Sequence, residues 1–207
     1  MATTPIAPAT MTRNITRIFR TATAEEVQAG ADWYADARNV AESLAFAHGT
    51  SVEVAAGVIA ALSPLNSWGN NVNLAARLIA AGGLSAGYLK ANLAKANAIL
   101  GGADILPTLS GLKVQNFYTG IITAGREGVC IDRHAYCIAV NDRSVSNNVP
   151  KLSPTRYAEI SAAYVRAARI LSREYEMIIT PAQVQSVTWT LWRRMWWSEG
   201  AFDGIAA

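Results

Sequence analysis

The residues best suited to chemistry in this sequence lie in positions 129–137, which read VCIDRHAYC. Asp132, Arg133 and His134 stand side by side in an otherwise apolar stretch, in a chain of 207 residues that contains only two histidines. A carboxylate can stabilise developing positive charge, a guanidinium can hold an anion, and an imidazole can transfer a proton near neutral pH. We therefore take Asp132 as the candidate reaction centre.

The same segment has two other interpretations. Cys130, His134 and Cys137 are possible metal ligands, but a fourth ligand would have to come from elsewhere, and free cysteines are commonly buried in cores. We expect no metal and no cofactor. Asp132 also suits the first, capping position of a helix that begins there, and a capping aspartate can still expose one carboxylate oxygen to a ligand.

Composition narrows the class of protein. Hydrophobic residues make up 51% and charged residues 16% of the chain, which is typical of a folded protein, and the longest apolar run, around residues 54–62, is too short to span a bilayer. The first dozen residues lack the features of a secretory signal, and two cysteines form no disulfide framework. We expect a cytoplasmic monomer that contacts no membrane. The net charge of +3 permits nucleic acid as a partner without demanding it.

The elements that position these residues are predicted to be helices throughout. Capping signals occur at Thr23 with Glu26, at Thr50 with Glu53, at Ser153 and at Thr180, and no alternating strand pattern is found. The predicted helices lie near residues 12–20, 24–48, 51–62, 69–81, 86–99, 111–123, 132–141, 154–175 and 181–196. The fold class is therefore all-α, with a flexible arm over residues 1–11 and a single helical domain over residues 12–207. Residues 141–150 are the best candidate for a loop between two helical lobes.

Two further segments could contact a nucleic acid. In TWTLWRRMWW, Trp189, Trp192 and Trp196 fall on one helical face, which is typical of a buried stripe with Arg193 and Arg194 on the solvated flank. The alternative is that the tryptophans stack on bases while the arginines neutralise phosphates.

The second segment is a polar elbow between two apolar helices, in VIAALSPLNSWGNNVNLAARLIA. Asn66 and Asn70 could bond a base edge, and Trp68 could stack on the base. Each of these residues could instead only cap a helix or form the turn.

Three segments in order resemble the helix-hairpin-helix DNA glycosylase superfamily, over roughly residues 52–140. LSPLNSWGNNVNLAARLI is similar to its elbow and Asn-bearing helix, LSGLKVQNFYTGI to its hairpin and following helix, and VCIDRHAYCIAV to its Val-Asp-x-His segment. The resemblance implies a two-lobed helical bundle that binds DNA and acts on an extruded base, which we expect to be a modified one.

The resemblance also implies roles for single residues. Asp132 takes the position of the essential aspartate, which stabilises the charged sugar as the base departs, and His134 would orient groups or transfer a proton. Lys113 lies where bifunctional members carry a nucleophilic lysine, although phosphate binding is the favoured role for it here. Gly111 stands alone where the family has Gly-x-Gly, so the hairpin departs from the pattern.

The remaining assignments concern phosphate groups and the reaction type. Gly111, Lys113, Arg133 and Arg126 are the candidate phosphate-binding residues, and Asn66, Trp68 and Asn70 the candidate base pocket. The chain looks most like a divergent, phage-type branch that includes base-hypermodification enzymes, which would place it in the cytoplasm of a host cell. Cleavage of the base–sugar bond is the leading function that this implies. The alternatives are group transfer onto a hypermodified pyrimidine and a catalytically silent module that binds DNA or protein.

Overall fold

The structure is a computed structural model that describes residues 6–143 and 149–196. Within those residues the secondary structure is helical and contains no strand, which confirms the all-α class. The helices are α1 (Pro8–Phe19), α2 (Ala24–His48), α3 (Val52–Leu62), α4 (Trp68–Ala80), α5 (Lys90–Leu100), α6 (Ile105–Thr108), α7 (Leu112–Ile122), α8 (Arg133–Val140), α9 (Pro154–Glu174) and α10 (Pro181–Trp196). The short helix α6 was not predicted, and α5 begins four residues later than expected.

The chain divides into two compact units, and the boundary between them falls inside α2. What we call the terminal unit comprises the described residues 6–33, 129–143 and 149–196, and the central unit comprises residues 34–128. The boundaries between the units lie at residues 33/34 and 128/129, whereas the predicted loop between two helical lobes covered residues 141–150. Asp132 belongs to the terminal unit, whereas Lys113 belongs to the central unit.

The core of the terminal unit forms between α1, α8, α9 and α10. Met11, Ile15 and Phe19 recur at helical spacing along α1 and are fully buried, together with Tyr164 of α9 and Leu191 of α10. Because residues three and four apart share one helix face, α1 turns an apolar stripe inward and leaves its other side to solvent. This arrangement fixes the polar face of α1 that is described below.

The predicted boundary of the N-terminal arm is wrong by several residues. Helix α1 begins at Pro8 rather than at residue 12, and Met11 is completely buried. Proline is well suited to a first helical turn, where its missing N–H would have no partner, and the burial of Met11 offsets the entropy of ordering the segment. The rest of the predicted arm, residues 1–5, lies outside the described residues.

The central unit is built around α3, in which every residue from 55 to 62 is buried. Helices α4, α5 and α7 pack against it. Tyr34 closes the core beside α7, where a Cβ at Gly120 would lie only 2.5 Å from the Tyr34 ring. No single helix in the described part of the chain is long and apolar enough to cross a membrane, and one sharply bent pair, α2 with α3, passes that test jointly.

Most of the predicted helix starts are confirmed by their hydrogen bonds. The Thr23 hydroxyl accepts from the Glu26 N–H at 3.3 Å, and the Glu26 carboxylate accepts from the Thr23 N–H at 2.9 Å. Ser153 caps α9 in the expected way. The box proposed for Thr50 is wrong, because Ser51 is the capping residue and accepts from the Val54 N–H.

Candidate nucleic-acid interface

Asp132 is the capping residue of α8, as predicted. Its Oδ1 accepts a hydrogen bond from the Ala135 N–H at 2.8 Å, and its Oδ2 accepts one from the Trp189 indole Nε1–H at 2.8 Å. The residue is 6% exposed. The expectation that capping would leave one oxygen open is therefore wrong, because the indole of α10 occupies the second oxygen.

Trp189 is the centre of a small buried cluster in the terminal unit. The His134 ring meets it edge-on, with ring centroids 5.6 Å apart, and the Arg193 guanidinium lies 4.7 Å from the centroid of the indole. His134 and Arg193 are both buried. We call Asp132, His134, Trp189 and Arg193 the Asp132 cluster. It joins α8 to α10 through one charge-assisted hydrogen bond and one ring contact, while the contact of Arg193 with Trp189 lies within α10.

The outcome for the tryptophan stripe is mixed. Trp189 and Trp192 are buried, as predicted, but Trp196 is 43% exposed. Arg194 lies on the exposed flank and pairs with Glu26, whereas Arg193 is buried. Arg193 stands four residues after Trp189, so one turn of α10 lays its planar guanidinium on the indole face, and the aromatic contact replaces hydration of the charge.

The segment that leads into Asp132 is held by tyrosine hydroxyls from α9. The Tyr157 hydroxyl accepts from the Ile131 N–H at 3.0 Å and donates to the Val129 carbonyl at 2.7 Å. The Tyr164 hydroxyl donates to the Ala135 carbonyl at 3.2 Å. These buried bonds satisfy backbone groups on both sides of Asp132, so they fix the position of its carboxylate.

Neither cysteine of the same segment is positioned as a metal ligand. Cys130 and Cys137 are free and buried, and the part of the chain that the structure describes contains no group of three His, Cys, Asp or Glu side chains able to hold a metal ion. Burial, together with the nearby Asp132 carboxylate, raises the pKa of the Cys137 thiol to about 11. A thiol with such a pKa is protonated near neutral pH and is a poor nucleophile.

We therefore predict that a thiol-reactive disulfide reagent leaves the native protein unmodified at pH 8, where Cys137 is protonated and buried. In denaturant both cysteines should react rapidly, because the unfolded thiol pKa is near 8.5. The native state binds the Cys137 proton more tightly than the unfolded state, because the thiol pKa is higher in the native state. The contribution of this thiol to stability is therefore lost as the pH rises from about 9 to about 11. Rapid labelling of native Cys137 at pH 8 would contradict the packing described for α8.

The candidate hairpin residues lie at the start of α7 in the central unit. Gly111 precedes α7 with a φ of 93°, a conformation that favours glycine. Lys113 follows in the first turn, and Arg126 is exposed in the turn after the same helix. The structure thus brings Gly111 and Lys113 together, as the resemblance implies, within a different unit from Asp132 and the exposed Arg133.

The candidate base-pocket residues occupy the elbow between α3 and α4. Asn66 is 8% exposed, and its amide donates to the Leu62 carbonyl at 3.3 Å, so it terminates α3. The Asn70 backbone N–H bonds the capping Ser67 hydroxyl, and Trp68 is half-buried in the first turn of α4. For Asn66 the structure therefore shows a turn-forming role, while the Asn70 side chain is exposed.

A groove in the terminal unit was not anticipated from the sequence. It has a volume of about 720 Å³ and is walled by α1 and α9. Besides small residues and Ile170, its lining contains five arginines: Arg13, Arg20, Arg166, Arg169 and Arg173. We call it the arginine groove.

Helical spacing explains how the arginines converge. Arg166, Arg169 and Arg173 are separated by three and four residues and therefore share one face of α9, and Arg13 and Arg20 are seven residues apart on α1. Since the apolar sides of both helices enter the same core, their arginine faces meet at its surface. The signal was present in the sequence as a basic stripe, but its partner stripe on α1 lies about 150 residues earlier in the chain.

The arginines differ in how far they are neutralised. Arg20 forms a bidentate pair with Glu174, with N–O distances of 2.6 to 3.1 Å, and this pair raises the Arg20 pKa and lowers the Glu174 pKa. Arg166 donates to the Thr12 hydroxyl at 3.2 Å. The side chains of Arg13, Arg169 and Arg173 have no hydrogen bond or ion pair within residues 6–143 and 149–196. Three guanidinium groups are thus available to an anion in the groove.

Comparison with known protein families identifies the family to which the chain belongs. The model of DUF7178, a family of unknown function, matches residues 1–195. The chain belongs to this family. Neither a curated protein nor a solved structure matches the chain.

The region that matches DUF7178 takes in both compact units up to residue 195. It contains the whole arginine groove and all four residues of the Asp132 cluster. The description of DUF7178 assigns no activity, so the function of the chain must be argued from its own geometry and charge.

Proposed function

We propose that this protein binds DNA through the arginine groove. The observation that carries the proposal is the convergence of five arginines from α1 and α9 on one groove, of which four have no acidic partner in the described parts of the chain. Guanidinium groups present several N–H donors in a planar fork that matches phosphate oxygens, so arginine is well suited to a phosphodiester backbone.

The distribution of charge supports this choice of ligand. The chain carries a net charge of only +3, yet the groove alone holds five of its 18 Lys and Arg residues against one carboxylate paired to it, Glu174. Placing like charges together raises their mutual repulsion, which a bound polyanion relieves.

The proposal is tested by titrating fluorescein-labelled single-stranded and duplex DNA with the protein and measuring anisotropy from 50 to 400 mM salt. With three free arginines, we expect the logarithm of the affinity to fall with the logarithm of salt with a slope of about −2 for a single strand and about −3 for duplex. A polyglutamate of equal charge serves as the competitor.

Two outcomes of that titration would refute DNA binding. The first is an affinity that does not depend on salt, because phosphate contacts release counterions. The second is competition by polyglutamate as effective as that by unlabelled DNA, because the groove would then recognise negative charge alone.

A second candidate function is enzymatic cleavage of the base–sugar bond, with Asp132 at the reaction centre. It is favoured by the burial of a carboxylate that forms no ion pair with the described residues, since such a group loses hydration and is retained where charge has a use. An anion of this kind stabilises an oxocarbenium-like transition state. For this chemistry the Trp189 indole must release Oδ2 of Asp132. His134 and Arg133 would then lie beside the freed carboxylate.

Mass spectrometry of bases and nucleosides separates the enzymatic possibilities. Wild type, Asp132→Asn and Trp189→Phe are incubated with ordinary DNA and with DNA rich in modified pyrimidines. Base release by wild type and Trp189→Phe, but not by Asp132→Asn, is expected for a glycosylase. A changed nucleoside mass without release indicates group transfer to the base. Equal products with Asp132→Asn would remove Asp132 from the reaction.

A further inference from the structure

A second groove of the terminal unit lies beside the C-terminal end of α10. It has a volume of about 400 Å³, and its lining includes Arg17 and Thr21 of α1, Arg143, and Trp192, Met195 and Trp196 of α10. We call it the tryptophan groove. Trp196 is 43% exposed, so part of its indole ring is open to solvent.

The aromatic and cationic groups of this groove are arranged as a stacking platform. The Arg143 guanidinium lies 4.4 Å from the centroid of the Trp196 ring, and the Trp192 and Trp196 rings meet edge to face, with centroids 6.0 Å apart. An indole held by a neighbouring ring and a cation has a fixed orientation before any ligand arrives. Fixed aromatic faces with nearby arginines are the groups on which single-stranded nucleic acids stack their bases.

An unsatisfied donor lies in the same groove wall. The Trp192 residue is 3% exposed, and its Nε1 atom has no hydrogen-bond partner within the described parts of the chain. A buried N–H without an acceptor lowers the stability of the folded state. We therefore take this N–H as a candidate donor to a ligand. Every common DNA base except adenine carries a carbonyl oxygen that can accept from an indole N–H.

We propose that the tryptophan groove binds one unpaired base of a DNA strand whose phosphates contact the arginine groove. The base stacks on Trp196, and a base carbonyl accepts from the Trp192 indole. Arg17 and Arg143 hold the adjoining phosphate. This inference rests on the proposed DNA binding and specifies the form of DNA: a single strand, or a duplex from which a base has been extruded.

Helix α1 links the two grooves within one unit. Arg13, Thr16 and Arg20 face the arginine groove, while Arg17 and Thr21, one position further around the helix, face the tryptophan groove. Consecutive residues are rotated by about 100° around a helix, so the two grooves open on neighbouring sides of α1.

The inference is tested by measuring the affinity of the protein for a thymine 12-mer and for an abasic strand of equal length. Wild type should bind the thymine strand about tenfold more tightly, because each stacked base contributes to affinity whereas the phosphates are common to both strands. Trp196→Ala should abolish that preference and leave the affinity for the abasic strand unchanged. Trp192→Phe, which removes only the N–H, should reduce the preference by a smaller factor.

The control is Phe46→Ala, since Phe46 is the most exposed aromatic residue of the central unit, at 94%. This variant should keep the full preference for the thymine strand. If Trp196→Ala retains the preference, the tryptophan groove is not the base site even though DNA binding stands. If wild type binds neither strand, the proposed function itself fails.

Discussion

The double variant Arg169→Glu/Arg173→Glu should bind DNA at least about 30-fold more weakly than wild type at 50 mM salt. A basic residue close to a surface of negative charge contributes about 1 kcal/mol, and a 1.4 kcal/mol change is a tenfold change in affinity, so two arginines account for that factor before the repulsion from the new carboxylates is counted. The slope of log affinity against log salt should also fall in magnitude by about 1.4 to 1.8. Anisotropy titrations measure both quantities.

Folding should not be affected by these substitutions. Arg169 and Arg173 are exposed and have no hydrogen bond or ion pair in the parts of the chain that the structure describes. The matched control is Arg77→Glu/Lys90→Glu, which makes the same change in net charge at exposed positions of the central unit. A control that weakens binding as much as the groove variant would show that total charge, rather than the arginine groove, determines the affinity.

The variant Asp132→Ala should lower the free energy of unfolding by about 2–4 kcal/mol. Loss of a helix cap costs about 1 kcal/mol, and loss of the hydrogen bond to the charged carboxylate, which leaves the Trp189 N–H buried without an acceptor, costs about 1–3 kcal/mol more. Urea unfolding monitored by circular dichroism measures the change. At low denaturant the folded variant should bind DNA as wild type does, because Asp132 lies outside the arginine groove.

Asp104→Ala is the matched control for this effect. Asp104 also precedes a helix, α6, but its side chain makes no capping bond and is exposed, so its removal should change stability by less than about 0.5 kcal/mol. A double-mutant cycle of Asp132→Ala with Trp189→Phe should give a coupling energy of about 1–2 kcal/mol, since both changes remove the same bond. Independent effects of the two substitutions would contradict the pairing of Asp132 with Trp189.

The local rules of helix formation predicted most of the elements. The capping box at Thr23, the serine cap at Ser153 and the glycine at Gly49 locate helix ends because each acts within four residues of sequence. The start of α1 was missed since the apolar stripe after Pro8 stabilises the helix through contacts with α8, α9 and α10, which are distant in sequence. The short helix α6 begins without a side-chain capping bond, so it has no local start signal from which it could be predicted.

The functional surfaces were harder to predict, for a physical reason. Asp132 was identified from residue type and position, but the bond that occupies its second oxygen comes from Trp189, 57 residues later. The arginine groove joins residues about 150 positions apart, and no spacing rule connects two stripes on separate helices. Burial of Arg193 and exposure of Trp196 likewise depend on what α10 packs against. Their spacing along the helix alone predicts an exposed Arg193 and a buried Trp196.

The most direct test of the central claim is an arginine footprint with a phenylglyoxal reagent in the presence and absence of DNA, mapped by mass spectrometry of peptides. The arginine groove predicts that DNA slows modification of Arg13, Arg169 and Arg173 while exposed Arg77 of the central unit reacts at an unchanged rate. Unchanged reactivity of the three groove arginines at a DNA concentration that saturates binding would contradict the account.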